Sequence, residues 1–321
     1  MNAGTGNAPT LLADIGGTNA RFALGEKDGT IHAIKSLVCR DYASPADAAQ
    51  NYLDALPLAA RPKRAAFALA SPVSGDDVDM TNHPWAFSIE KTRMELGLDR
   101  LEALNDFTAV ALCIPHLTGR DVLQIGRGEA VANAPIAVLG PGTGLGVSAL
   151  IPAGGDWFPL ASEGGHATMA AVTAREQKIL ETLRDTFGHV SGERVLSGPG
   201  LVNLHDAISH LNGSGPPAPA TPAEIADRAL CATCPVCKET LDVFFEMLGT
   251  TASNLALSLG ARGGVFIAGG IVPKLADAFS NSGFRRRFED KGRFKDYLSA
   301  IPTFVITHEF PAFLGLLHQD R

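Results

Sequence analysis

One device occurs twice in this chain: an apolar segment, a glycine-rich turn with a Gly-Thr pair, and a second apolar segment. Thr10 to Ala13 leads into Asp14-Ile15-Gly16-Gly17-Thr18, and alternation resumes through Arg21, Phe22, Ala23 and Leu24. Ile136 to Leu139 leads into Gly140-Pro141-Gly142-Thr143-Gly144-Leu145-Gly146, followed by Val147 to Ile151. Each pattern predicts strand, tight turn, strand. Two hairpins of one kind predict two related α/β halves. The inference is architectural, because no repeat of fixed period is visible. A length of 321 residues allows two domains at about 150 residues each. The first turn is not a dinucleotide fingerprint, which needs a helix directly after the glycines to hold a pyrophosphate. A hairpin can still present backbone N–H groups and a Thr hydroxyl to phosphates, because glycine has no side chain in the way.

Further elements follow from local pattern. Residues 65–73 (AAFALASPV) and 100–106 (RLEALND) predict strands. After the second, Phe107, Val110, Ala111, Ile114 and Leu117 recur at helical spacing. Gly213 to Pro222 predicts a surface loop, ended by a helix start with Thr221 as cap, Pro222 in the first turn and Glu224 three residues on. Beyond Pro235 a long helical stripe runs through Leu241, Phe244, Phe245, Leu248, Leu255 and Leu259, and Gly260 is placed to stop it. Val265 to Ala268 predicts a buried strand, from which Gly269-Gly270 leads to a helix beginning near Pro273.

Charge and cysteine usage exclude several classes. With 27 basic and 34 acidic side chains the net charge is −7, which argues against nucleic acid as a partner and against docking to anionic lipid. The uncharged run from Ala130 to Gly155 is interrupted by Pro135, Pro141 and Pro152 and by four glycines of the second turn, so no membrane span is expected. Five cysteines at irregular spacing do not form a secreted disulfide framework. With no targeting segment evident at the start, a cytoplasmic location is expected. Cys231, Cys234 and Cys237 resemble half a zinc site that lacks a fourth ligand, so buried or partly reactive thiols are the better expectation. Arg285-Arg286-Arg287, answered by Glu289 and Asp290, predicts a solvated surface with local ion pairs.

The polar candidates each carry two readings. Asp14 can hold a magnesium ion through water, or merely flank a turn. Asn105 and Asp106 stand at a strand end and a helix start, where either is a good cap. A carboxylate there can also act as the base for a hydroxyl. Glu163-Gly164-Gly165-His166 can aim a carboxylate and an imidazole at one polar ligand, or be a satisfied structural turn. Glu193 has the same ambiguity, since Glu is common at a helix start. Gly269 and Gly270 suit close approach of a flat ligand, or tight strand–helix packing.

Together these segments resemble the bacterial glucokinase family: DIGGTNAR (14–21), MTNHPWAFS (80–88), LNDFTAVA (104–111), GPGTGLGV (140–147), EGGHATMA (163–170), GERVLSGPGLVNL (192–204), GGVFIAGGIVP (263–273) and FEDKGRF (288–294). Eight motifs in order make the match specific. The resemblance implies a two-domain α/β, actin-like ATPase (hexokinase-type) fold with a central cleft. It places the small domain at 1–116 plus about 306–321 and the large domain at 117–305. It implies ATP-dependent phosphorylation of D-glucose at the 6-hydroxyl, with ATP and Mg2+ as cofactors and a homodimer as the assembly. By motif, Asp106 becomes the general base, and Asn105, Glu163, His166 and Glu193 hold the sugar. Ala13, Asp14, Ile15, Gly16, Gly17 and Thr18 face the phosphates, as do Gly142, Thr143 and Gly144. Gly269 and Gly270 lie near the nucleoside, and Asp14 serves the magnesium. Two positions depart from the family pattern: Pro141 offers no N–H, and Ser162 stands where a glycine is common. A related sugar-kinase and repressor family adds a cysteine-rich zinc loop after its Glu-Gly-His element, where this chain has ATMAAVTAREQ. A kinase for another sugar, a non-catalytic sugar sensor and a polymerising ATPase are the rival readings.

Overall fold

The computed structural model describes residues 8–57, 61–213 and 220–319. Most of the loop expected over Gly213–Pro222 therefore lies outside the described residues. The chain divides into two compact units, one within Met1–Thr118 and His308–Arg321, the other Gly119–Thr307. Among the described residues no helix is long and apolar enough to cross a membrane.

The first unit is built on a five-stranded mixed sheet. Its strands are β1 (Thr10–Ile15), β2 (Asn19–Gly25), β3 (Ile31–Val38), β4 (Arg64–Leu69) and, after a two-stranded ribbon of β5 (Asp77–Asp79) and β6 (Ala86–Ser88), β7 (Arg100–Asn105). The spatial order is β3-β2-β1-β4-β7. β1 and β2 form the expected hairpin, while β4 and β7 run parallel to β1. Ile15 pairs with Leu69, and Leu69 with Asn105, so three parallel strands end level. The sequence decides the sheet's inner face: Leu11, Phe22 and Phe67 are buried with Tyr52 of α1 (Pro45–Asp54). A fully buried Leu or Phe contributes about 1.5–3 kcal/mol. The strand predicted over 65–73 stops at Leu69, and its Ser-Pro continuation becomes the loop that carries Ser71. Two more helices belong to this unit: α2 (Ile89–Glu95) and α3 (Asp106–Cys113). Beyond α3, Pro115 tightens the chain into a 3-10 turn. The C-terminal helix, Pro311–Leu317, packs on α3 and returns the end of the chain to this unit.

The second unit repeats the plan. β8 (Val122–Ile125), β9 (Ile136–Pro141), β10 (Leu145–Ala153), β11 (Asp156–Leu160), β12 (Gly264–Ile267) and β13 (Thr303–Ile306) are ordered β11-β10-β9-β12-β13-β8. Again a hairpin, β9–β10, is followed by two parallel neighbours, β12 and β13. Its helices are α4 (Ala174–Phe187), α5 (Gly198–Leu211), α6 (Pro222–Leu230), α7 (Pro235–Leu259), α8 (Ala276–Ser280), α9 (Phe284–Glu289) and α10 (Lys295–Ser299). α6 has both bonds of the capping box expected at Thr221 and Glu224, and α7 ends at left-handed Gly260. Leu241, Phe244, Phe245 and Leu248 of α7 share one core with Phe279, Phe284 and Phe288. The helix expected near Pro273 opens as a 3-10 turn, Pro273–Leu275, before α8.

The arginine run keeps its expected local pair at Arg285–Glu289 and a solvated side chain at Arg286, but Arg287 departs from the expected surface. In α9, Arg287 lies three residues after Phe284, and Phe284, Arg287 and Phe288 are all buried. Its guanidinium pairs with the buried Glu176 carboxylate at 2.7 Å and with Glu246 at 2.8 Å. Arg285 donates to the Ile301 and Ser299 carbonyls, each at 2.9 Å, besides pairing with Glu289 at 2.7 Å. Local sequence could not reveal this, because the principal partners of Arg287 lie on α4 and α7.

Candidate active site

In the first unit the site grows from the level ends of β1, β4 and β7. Ligands of open α/β sheets sit outside the carboxyl ends of such strands. The first glycine turn closes with the Gly16 N–H on the Asn19 carbonyl at 3.0 Å. Buried Cys39 braces it from behind, its thiol donating to the Gly16 carbonyl at 3.4 Å and its N–H to the Thr18 carbonyl at 2.9 Å. Ala13 and Ile15 point their side chains into the core, so only their backbone can serve a ligand. Thr18 is exposed.

Asp14 lies between those two core residues, its side chain 29% exposed and 3.3 Å from Arg21. Burial lifts its carboxyl above the ordinary 3.8, and the Arg21 guanidinium opposes the shift. Such an under-compensated carboxylate suits a divalent cation. Among the described residues no three His, Cys, Asp or Glu side chains gather as a metal cage. One carboxylate is what a magnesium ion needs when phosphate and water fill its remaining positions.

At the other end of this edge, Asn105 is the cap of α3. Its side-chain oxygen accepts the Phe107 and Thr108 N–H groups at 2.9 and 3.2 Å. Asp106 is the first helical residue, and its Oδ1 accepts the Phe107 N–H at 2.8 Å. Asn105 is thus the cap, and Asp106 begins the helix beside it with one carboxylate oxygen on the Phe107 N–H. Sequence reasoning passed over Ser71, which ties the edge together. Its hydroxyl donates to the Asp79 carbonyl at 2.7 Å and accepts the Thr81 N–H at 2.9 Å. Its carbonyl accepts the Asn105 amide at 3.4 Å. The chain from Ser71 then reaches Asn82, whose backbone lies against Gly17. A serine preceding proline carries no signal of such a role.

In the second unit the two glycine segments meet. Leu139 of β9 pairs with Ile267 of β12, so Gly142–Gly144 and Gly269–Gly270 follow from adjacent strand ends. Gly269 has φ +83, and its α-carbon faces the Pro141 carbonyl so closely that a Cβ would collide. Only glycine meets both demands. Pro141 lacks an N–H, but its carbonyl accepts the Ile271 N–H at 3.3 Å. The Gly142 carbonyl accepts the N–H of Gly198, the first residue of α5, at 2.8 Å. The N-terminus of a 14-residue helix therefore backs the turn with its partial positive charge.

Glu163 and His166 bracket a 3-10 turn, Gly164–His166, closed by the His166 N–H on the Glu163 carbonyl at 3.0 Å. Their side chains are 3.9 Å apart and more than half exposed. That fits neither a satisfied structural histidine nor a buried ion pair. Ser162 earns its place locally, its hydroxyl accepting the Gly164 N–H at 3.0 Å. Glu193 is no helix-start residue: α5 begins at Gly198 with Ser197 as cap. Its N–H donates to the Gly165 carbonyl at 2.8 Å and its Oε2 accepts the Leu145 N–H at 3.0 Å. One residue thereby joins the Glu-Gly-Gly-His turn to the second glycine hairpin.

A hairpin followed by two parallel strands in each of two units, with glycine turns at the strand ends, defines the two-domain actin-like ATPase class of hexokinase type. Comparison with known proteins agrees. A family model described as Glucokinase matches residues 11–320. A glucokinase of Paramagnetospirillum magneticum is 57% identical over 307 residues, 95% of each chain. The crystal structure of a glucokinase from an Antarctic psychrotroph is 38% identical, with a TM-score of 0.85 over 96% of this chain and 97% of that one. The structure of a Balamuthia mandrillaris glucokinase in complex with glucose superposes with a TM-score of 0.81 over 98% of this chain and 94% of that one. At 21% identity it speaks for the fold alone. This chain belongs to the glucokinase family.

Proposed function

We propose that this chain transfers the γ-phosphoryl group of ATP to the 6-hydroxyl of D-glucose, forming ADP and glucose 6-phosphate. Family membership supports the reaction. The observation that supports the mechanism is the β7–α3 junction, where Asn105 caps the helix and the neighbouring Asp106 sets a carboxylate at its N-terminus, level with the ends of β1 and β4. Phosphoryl transfer needs alignment, charge neutralisation and a proton acceptor rather than covalent help from the protein.

In this reading Asp106 accepts the proton of the attacking hydroxyl. Asn105, Glu163, His166 and Glu193 take sugar hydroxyls, since amide, carboxylate and imidazole each pair with them directionally. The backbone from Ala13 to Thr18 and the turn of Gly142, Thr143 and Gly144 face the phosphates, where N–H groups aimed at developing charge lower the barrier. Gly269 and Gly270 admit the nucleoside by close backbone approach. Asp14 holds hydrated magnesium, which when bound supplies neutralisation of phosphate charge. The setting is the cytoplasm and the assembly a homodimer, with no nucleic-acid or membrane partner.

The test is ADP release from purified protein with Mg-ATP, comparing no sugar with glucose, mannose, fructose and N-acetylglucosamine. Release with glucose alone is the expected result. Release with another sugar in its place would move the substrate and keep the mechanism. No sugar-dependent release would overturn the reading.

A further inference from the structure

Between α6 and α7 the chain runs Cys231-Ala232-Thr233-Cys234-Pro235-Val236-Cys237, a segment for which phosphoryl transfer has no use. The turn is held tightly. Ala232 takes φ +53, and the Thr233 N–H and hydroxyl both donate to the Arg228 carbonyl, at 3.1 and 3.3 Å. Cys234 is the cap of 25-residue α7, and its sulfur accepts the Cys237 N–H at 3.3 Å. Pro235 in the first turn needs no hydrogen bond there. Cys231 is exposed, Cys234 partly buried and Cys237 fully buried. Among the described residues no set of three or more metal-ligating side chains gathers.

We propose that Cys234 and Cys237 form a reversible dithiol–disulfide site, Cys234 attacking and Cys237 resolving, open to low-molecular-weight disulfides such as oxidised glutathione. The geometry carries this. A reachable thiol at a long helix's N-terminus, its sulfur on the N–H of a second cysteine three residues on, is the arrangement that makes paired cysteines exchange. Cys234 is the cap, with extended backbone, and Cys237 stands three residues on in the first turn, so the two side chains share one face of the helix end and a modest backbone adjustment there suffices to bridge them. The thiol acidities agree. The hydrogen bonds from the Cys237 thiol and amide hold Cys234 below its ordinary 9.0, aided by Arg228. Burial, followed by the hydrogen bond and charge of Cys234, pushes Cys237 up to about 11.

The steps balance. The Cys234 thiolate attacks one sulfur of the disulfide, whose S–S bond breaks to release one thiol. Forming the mixed disulfide at Cys234 removes the neighbouring charge that, after burial and their hydrogen bond, helps to keep the proton on Cys237. Cys237 then gives its proton to solvent and attacks the Cys234 sulfur, releasing the second thiol. Two protein thiols are oxidised to one disulfide, and the small disulfide is reduced to two thiols.

The experiment uses folded full-length protein with Cys231→Ser, so that the exposed thiol does not confuse the reading. Incubation with oxidised glutathione should give a Cys234–Cys237 bridge by peptide mapping, reversed by dithiothreitol. Adding Cys237→Ala should trap one glutathione on Cys234. Adding Cys234→Ser should slow modification of Cys237 at least about tenfold relative to that trapping. A pair that stays reduced, or glutathione arriving on Cys237 as fast as on Cys234, would overturn the proposal. Replacement of buried Cys237 can disturb folding, so iodoacetamide labelling of the unaltered chain is the second measurement. Alkylation of Cys234 should outpace that of Cys237 at least about tenfold, and equal rates would refute the assignment.

Discussion

The Oε2 atom of Glu193 accepts the Leu145 backbone N–H at 3.0 Å, and Gly144 has no room for a Cβ beside that carboxylate. Glu193 therefore shapes the second glycine turn as well as standing among the proposed sugar ligands. Glu193→Ala is expected to raise the KM for ATP together with that for glucose. Glu193→Gln keeps an oxygen for the Leu145 N–H, so its KM for ATP should stay within about twofold of wild type while the glucose KM rises about tenfold or more. Steady-state kinetics with each substrate varied in turn decides the matter. A Glu193→Ala enzyme with an unchanged KM for ATP would show that the turn holds itself.

Asp106→Ala should lower kcat by at least about 10²-fold while glucose affinity, measured by calorimetry, barely moves. Asn105 remains to cap α3, so the variant should fold. Unchanged turnover would remove Asp106 from the role of base.

Glu163→Ala should raise the glucose KM strongly, because the sugar hydroxyls it is proposed to take lose their acceptor, and sites built to pair hydroxyls discriminate by large factors. The Glu163 side chain makes no bond that closes its own turn, which runs through backbone atoms, so the thermal midpoint should hold. A KM near wild type would count against the sugar role.

Arg287 offers a test of stability apart from activity. With its guanidinium between buried Glu176 and Glu246, Arg287→Met strands a carboxylate in the core and should cost about 3–5 kcal/mol. Urea unfolding of the variant measures it. Adding Glu176→Gln should recover part of the loss, because the amide oxygen can still accept the Val172 and Thr173 N–H groups. A cost under about 1 kcal/mol is what a solvated surface pair would give.

Asp76 supplies a pH dependence. The Ser88 hydroxyl at 2.5 Å and the Glu90 N–H at 2.8 Å hold its carboxyl below the ordinary 3.8. A depressed acid stabilises the fold above its unfolded value, and that contribution fades as pH falls through the folded value. Asp76→Asn should thus melt earlier than wild type at pH 6, with the two curves drawing together toward pH 3. A gap that stays constant across this range would contradict the linkage.

The chain's local rules were legible without coordinates. The two glycine hairpins, the Thr221 capping box, the start of α3 at Asn105 and Asp106, and the stop at Gly260 are settled within a few residues. Backbone sterics and nearby caps decide them. Candidate site residues were recognisable as polar groups at turns and strand ends, and the family motifs supplied the roles proposed for them. What only the tertiary structure decided depends on partners remote in sequence. The Glu193–Leu145 bond, the hold of Ser71 on Asn105, the brace of Cys39 behind the first turn and the burial of Arg287 against Glu176 all cross between elements. A side chain's type states what it can bond. Whether a carboxylate faces solvent, a backbone amide or a buried guanidinium depends on which distant surface the fold brings to it. The energy of the contact depends in turn on how much water that packing removes.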